Sequence, residues 1–173
     1  MDKGEHSKEV YAYFGLAFYR AQCVEQSIVQ LLIFGDFFPT EVPKFKSREE
    51  WESKYDIFEA NLLSKTMGQL LRVLKKHGIV DLEFNAKLDA ALKRRNFLAH
   101  SFFVEHSHNF VSFVGRKQMI EELENDIELF NDVEAFLNPI TMKFAKKYGL
   151  SKEKLNKIYE EMLMEAQSKD LQD

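Results

Sequence analysis

The chain has 173 residues, of which 45% are hydrophobic and 30% charged, and its net charge is −4. That length supports one domain with its own hydrophobic core, and the balance of residue types excludes a disordered chain. The net acidity excludes a protein that coats nucleic acid non-specifically, a task that needs a basic surface.

With only 3 prolines and 7 glycines there are few breaks, so long helices are expected. The first is predicted from about Ser7 to Phe34, where Val10, Phe14, Ala17, Phe18, Ala21, Val24, Ile28, Leu31 and Leu32 recur at three- and four-residue spacing. Gly15 inside it is expected to serve close helix packing, and Cys23 to be a small apolar filler. "GDFFPTEVPKFKSREE", with two of the three prolines, is expected to be the main loop. Ser47 and Glu50 form a capping-box pattern that opens a second helix through Trp51, Tyr55, Phe58 and Leu62. A short third helix places Met67, Leu70, Leu71 and Leu74 on one face and stops at Gly78.

Asp81 reads as the N-cap of a fourth helix with Phe84, Leu88, Ala91, Leu92 and Leu98 on its apolar ridge. "VEHSHNFVSFVGRK" is expected to form a turn and a short extended piece ending at Gly115. A long helix then runs from about Lys117 to Lys147 with Ile120, Leu123, Ile127, Phe130, Val133, Leu137 and Ile140 inward, and Gly149 ends it. Ser151 caps a last helix to about Glu165, and "QSKDLQD" is expected to fray. The fold class is therefore all-α, an antiparallel bundle of four to five helices, with a core over residues 7–166 and a tail at 167–173.

The single cysteine permits no internal disulfide and fits a reducing cytoplasm. "MDKGEHSKEV" has acids and no apolar run, so no signal peptide is expected. The most apolar run, "IVQLLIFGDFF", is too short to span a bilayer, so no membrane partner is expected.

Charge is unevenly placed. Ten Lys and Arg lie between Lys65 and Lys117 against four acids, which allows a local basic site on an acidic protein. Its centre is "KRRNFLAHSFF", residues 93–103. On a regular helix Asn96 and His100 stand about 40° apart on one face, and Arg95 and His100 about 140° apart, within the swing of a long guanidinium. Two readings are open. Arg94 and Arg95 are solvated and His100 is a satisfied, partly buried histidine, or these groups handle a phosphate. The "HSH" of His106 and His108 lacks a completing carboxylate or thiolate cluster, so a solvated loop is expected and no metal is assigned. Glu25 is either a helper acid or an ion-pair partner.

"RNFLAH" resembles the signature of HEPN domains (higher eukaryotes and prokaryotes nucleotide-binding) in its R-N-x-x-x-H form, with Arg95, Asn96 and His100 in the three positions. The resemblance is specific over residues 81–103 and loosely architectural from Ser7 to about Lys147. It implies a single HEPN-like domain over residues 1–173 that acts as a metal-independent endoribonuclease with no cofactor. It also implies a homodimer with a composite active site and RNA as the substrate. His100 would be general acid or base, Arg95 would hold the scissile phosphate, and Asn96 would orient one or the other. The 2′-OH would attack, giving a 2′,3′-cyclic phosphate.

Arg94 and Lys93 are candidate substrate-binding residues, and Arg116 and Lys117 could widen a basic cleft; each is equally readable as a solvated charge. The family implies a toxin or phage-defence effector, with an antitoxin or regulatory protein as a possible partner. Some HEPN toxins carry a modifiable tyrosine two positions after the histidine; Phe102 stands there. A non-catalytic module binding RNA, a nucleotide or a protein is the alternative, and a helical dimer without ligand is a third.

Overall fold

A computed structural model describes residues 3–170, with side chains from 4 to 168. It is all-helical among those residues. Helix α1 spans Lys3–Leu32, α2 Phe38–Glu41, α3 Arg48–Leu63, α4 Met67–Lys76, α5 Leu82–His100, α6 Phe102–Glu105, α7 Ser107–Phe110, α8 Phe113–Lys146 and α9 Lys152–Asp170. Six of these have ten residues or more, against the four or five expected for the bundle. The chain positions Met1 and Asp2, and the last three of the tail expected to fray, lie outside the described residues. Through Asp170 the tail is helical.

The core forms where the apolar stripes of α1 and α8 meet. Val10, Ala17, Ala21, Val24, Ile28, Leu31 and Leu32 from α1 are buried against Met119, Leu123, Phe130, Val133 and Leu137 from α8. Contacts between these two helices advance together along both. His6 stacks on Phe113, Arg20 lies 3.9 Å from Glu134, and Phe38 beyond α1 touches Tyr148 beyond α8. The two central helices are therefore parallel, which corrects the expectation of a wholly antiparallel bundle. The reason is topological: α3, α4 and α5 intervene and return the chain to its starting end before α8 begins. Helix α5 runs against both. Its contacts with α8 pass from Phe84–Phe136 and Lys87–Asp132 to Arg94–Glu122, and Arg95 meets Glu25 of α1.

Caps and glycines delimit the helices as their chemistry requires. Asp81 accepts from the Phe84 amide at 2.8 Å, and Ser47 accepts from the Glu50 amide at 3.2 Å. Glu50 pairs with Lys54, and the reciprocal capping box belongs to Thr66 and Gln69 at the start of α4. Gly78 and Gly149 have φ of 61° and 78°, the left-handed region that glycine enters without a Cβ penalty.

Two segments depart from expectation. Residues 33–44 remain helical, through a π-helical turn at Ile33–Phe37, α2 and a 3-10 turn at Val42–Lys44. The wide turn precedes Pro39, which has no N–H to give to a regular ladder. Ring packing holds the segment in place: Phe37 lies 5.1 Å from Trp51 and 5.0 Å from Phe58, and Phe38 5.4 Å from Trp51. Residues 101–112 contain no extended piece; they form α6 and α7. Ser112 then caps α8, which starts at Phe113 rather than Lys117. Gly115 is required there, because a Cβ would stand 2.2 Å from the Asn109 carbonyl oxygen. Gly15 is the opposite case. Nothing lies within 4 Å of its would-be Cβ, so close packing does not explain it.

Candidate functional site

The last two turns of α5 carry every residue singled out in the motif, and the packing sends them in different directions. Leu98 and Ala91 face the core, so the residues between them must diverge around the helix. Arg94 turns to α8. Its Nε donates to Asp126 Oδ1 at 2.5 Å, and Nη2 donates to Asp126 Oδ2 at 2.8 Å and to Glu122 Oε1 at 2.6 Å. Asp126 is only 3% exposed, so the bidentate bond supplies the counter-charge its burial demands. These hydrogen bonds, led by that of Asp126, hold the Arg94 guanidinium above its ordinary pKa. The ring of Phe97 lies 4.5 Å beneath the guanidinium carbon.

His106 completes this network. Its Nε2 lies 2.9 Å from Glu122 Oε2, outside hydrogen-bonding geometry. The Nδ1 is 3.1 Å from the Asn109 amide, and the ring packs 4.7 Å from Phe102. His106 is thus a half-buried link between α6 and α8, not part of a solvated loop. His108 is exposed. Arg116 is likewise no rim cation. It is 3% exposed, and donates to His6 Nδ1 at 3.1 Å and to the Phe110 carbonyl at 2.9 Å. Lys117 is exposed, 3.9 Å from Glu121.

Arg95 turns to α1. Its Nε donates to Glu25 Oε1 at 2.7 Å and its Nη1 to Asn96 Oδ1 at 3.4 Å. The structure therefore joins Arg95 with Asn96 and places Glu25 behind them as an ion-pair partner. Both Arg95 and Glu25 are partly accessible, at 24% and 20% of their side-chain surface. Asn96 and His100, one turn apart, are exposed, as is Lys93. Neither His100 nor Lys93 has a hydrogen-bond or ion-pair partner among the described residues. Phe102 is 1% exposed, enclosed by Phe14, Phe97 and Phe103, whereas Phe103 reaches the surface at 37%.

Beside Glu25 lies a groove of about 700 Å³ that the sequence did not announce. Gln22, Gln26 and Gln30, spaced one turn apart on α1, line it opposite Glu134 and Asn138 of α8. Cys23 also lines it and is half-buried rather than a core filler. The Tyr19 hydroxyl is pushed above its usual pKa chiefly by a hydrogen bond with that thiol. The i, i+4, i+8 run of glutamines was the available signal, although solvated helix faces show the same pattern. Its amides can give and accept hydrogen bonds, which suits a neutral polar ligand edge better than an anion.

No group of three or more His, Cys, Asp or Glu among the described residues is placed to hold a metal ion. No helix among them is long and apolar enough to cross a membrane. Comparison with protein-family models, with curated proteins and with solved structures found no match to this chain.

Proposed function

We propose that the protein is a metal-independent endoribonuclease of HEPN type, working as a homodimer with a composite active site and acting as a toxin or phage-defence effector. The observation that carries this reading is the environment of His100. An exposed imidazole without a protein partner stands one turn from an exposed amide, Asn96, which touches a guanidinium oriented from behind by Glu25. A histidine retained only for packing would be enclosed; this one is open to a substrate.

In this reading His100 moves the proton of the 2′-OH or of the leaving 5′-oxygen. Arg95 turns its free Nη2 edge to the scissile phosphate and stabilises the charge that develops on it. Lys93 adds a distant phosphate contact. Arg94 fits such a contact less well, because two carboxylates already occupy its fork. The polar groove beyond Glu25 offers room and amide groups for a ribonucleotide base. Phe102 offers neither a phenolic oxygen nor accessibility, so control by tyrosine modification at that position is not part of the proposal.

One observation favours the non-catalytic alternative. Glu25 neutralises Arg95, which weakens the local pull on a phosphate and suits recognition of a less charged ligand. The two readings separate in one experiment. Total RNA incubated with the wild-type protein in EDTA should be cut to products with 2′,3′-cyclic phosphate ends, while DNA stays intact. His100→Ala and Arg95→Met should each abolish cleavage with unchanged circular dichroism. Retention of RNA without cleavage selects an RNA-binding module, and RNA neither bound nor cut overturns the ribonuclease reading.

A further inference from the structure

We propose that the outer face of α4, with the turn before it, is a cationic track that holds the phosphodiester backbone of RNA beyond Asn96 and His100. The inference takes RNA as the occupant from the reading of α5 above and adds a site on a different element. From Ala60 to Val80 the chain has no Asp or Glu, but it has Lys65, Arg72, Lys75 and Lys76. Lys65 and Arg72 line a groove of about 360 Å³ together with Ser64, Gln69 and Val73, and no carboxylate lines it. The Lys65 ammonium donates to the Asn61 carbonyl at 3.0 Å and to the Asn61 side-chain oxygen, and the Arg72 Nε donates to the Gly68 carbonyl at 3.3 Å. Those acceptors are all neutral. Lys75 is neutralised by Asp89 at 2.6 Å, whereas Lys65, Arg72 and Lys76 have no ion-pair partner among the described residues.

The packing of α4 on α5 joins this face to the candidate site. Lys75 meets Asp89, and Gly68 approaches Leu92, whose Cδ2 would lie 3.5 Å from an added Cβ. The two helices are therefore antiparallel, and the start of α4 lies toward the half of α5 that carries Asn96 and His100. On α5, Asp89, Lys93, Asn96 and His100 fall within about 60° of one face, and on α4 so do Gly68, Arg72 and Lys75. Lys93, exposed and unpaired among the described residues, lies between Asp89 and His100 on that face. The other sides of α5 are unsuited to a polyanion. Toward α8, Arg94 is held by Glu122 and Asp126, and Lys87 by Asp132 at 2.8 Å. Toward α1, Glu25 and Glu134 line the glutamine groove. Carboxylates repel a phosphate chain on those two sides, and uncommitted cations receive it on the α4 side. An anionic lipid surface is disfavoured, because α4 exposes no large apolar side chain to enter a bilayer interface.

The test is fluorescence anisotropy of the full chain with a short labelled 2′-O-methyl RNA strand, which lacks the attacking hydroxyl and stays whole. Lys65→Gln/Arg72→Gln removes two phosphate contacts. The slope of log affinity against log salt should fall by about 0.7 for each, or about 1.4 in all, which at about 0.1 M salt is roughly 25-fold weaker binding. Lys65→Arg/Arg72→Lys keeps both charges and should bind as wild type does. Lys152→Gln/Lys157→Gln, an equal loss of charge on α9, should also bind as wild type does. A strand left unbound by wild type, a Lys65→Gln/Arg72→Gln variant with the wild-type slope and affinity, or an α9 variant weakened to the same degree would each overturn the proposal. So would wild-type binding to phosphatidylserine vesicles that this glutamine variant loses while it keeps the RNA strand. Cleavage of total RNA separates the site from the reading it rests on. Cleavage with an unchanged salt slope in the glutamine variant removes the track and keeps the ribonuclease. Strand binding with the expected slopes and no cleavage keeps the track and removes the ribonuclease.

Discussion

Neighbouring arginines on α5 should respond in opposite ways to the same change. Arg94→Met removes both bonds to Asp126 and the bond to Glu122, and leaves a carboxylate that is 3% exposed without its counter-ion. Breaking a buried pair from one side costs about 3–5 kcal/mol. The Arg94 side chain is itself 28% exposed, so water can reach part of the gap, and the lower end, about 3 kcal/mol, is expected. For a chain of this size that corresponds to a fall in Tm of roughly 6–12 °C. Arg95→Met leaves Glu25, which has 20% of its side chain in water, and should cost about 1 kcal/mol or less. Urea unfolding followed by far-UV circular dichroism measures both, with unchanged m-values as the check that one transition is compared. Asp126→Leu in the Arg94→Met background should recover most of the loss, since an apolar pair replaces an ionic one. Equal destabilisation by the two arginine variants, or no recovery in the double variant, would refute the division of α5 into a scaffold arginine and a site arginine.

Gly15 and Gly115 give a second contrast. Gly15→Ala should stabilise by about 1 kcal/mol, because the added methyl meets nothing and helix propensity improves. Gly115→Ala should destabilise by about 1–3 kcal/mol or more, since the methyl would collide with Asn109 backbone that cannot rotate away. Thermal melts of the two variants check both signs. The Tyr55 hydroxyl is pushed up to about 12, first by burial and then by its hydrogen bond to Glu59. The folded state therefore keeps this proton after the unfolded chain has lost it. The resulting stability is fully present below about pH 10 and disappears as pH rises toward 12. A Tyr55→Phe variant should show a shallower loss of stability over that window, and identical slopes would remove Tyr55 from the account.

Much of this architecture was legible in the residue pattern. The apolar spacings of Val10 to Leu32 and Leu123 to Leu137, the Asp81 cap, and the glycine stops at 78 and 149 all act locally, through helix periodicity and backbone sterics. The candidate Arg-Asn-His set was legible for the same reason, being contained in two turns of one helix. What was not legible depends on residues far apart in the chain. Proline and glycine between 35 and 43 signal a loop, but the rings of Phe37, Phe38, Trp51 and Phe58 hold helical turns there. Nothing in "KRRN" distinguishes its arginines. The difference arises because consecutive helix positions diverge by about 100°, so one reaches Asp126 on α8 and the next Glu25 on α1. His106, Arg116 and Gly115 likewise acquired their roles from partners brought in by folding. Local periodicity, with the Asp81 cap and the glycine stops at 78 and 149, determined that this chain is helical, where α5 begins and where α4 and α8 end. Only tertiary packing decided that α1 and α8 run parallel, which charges are buried, and which side chains stay open to solvent. Those outcomes depend on which surfaces meet, and no short window of residues contains both sides of a contact.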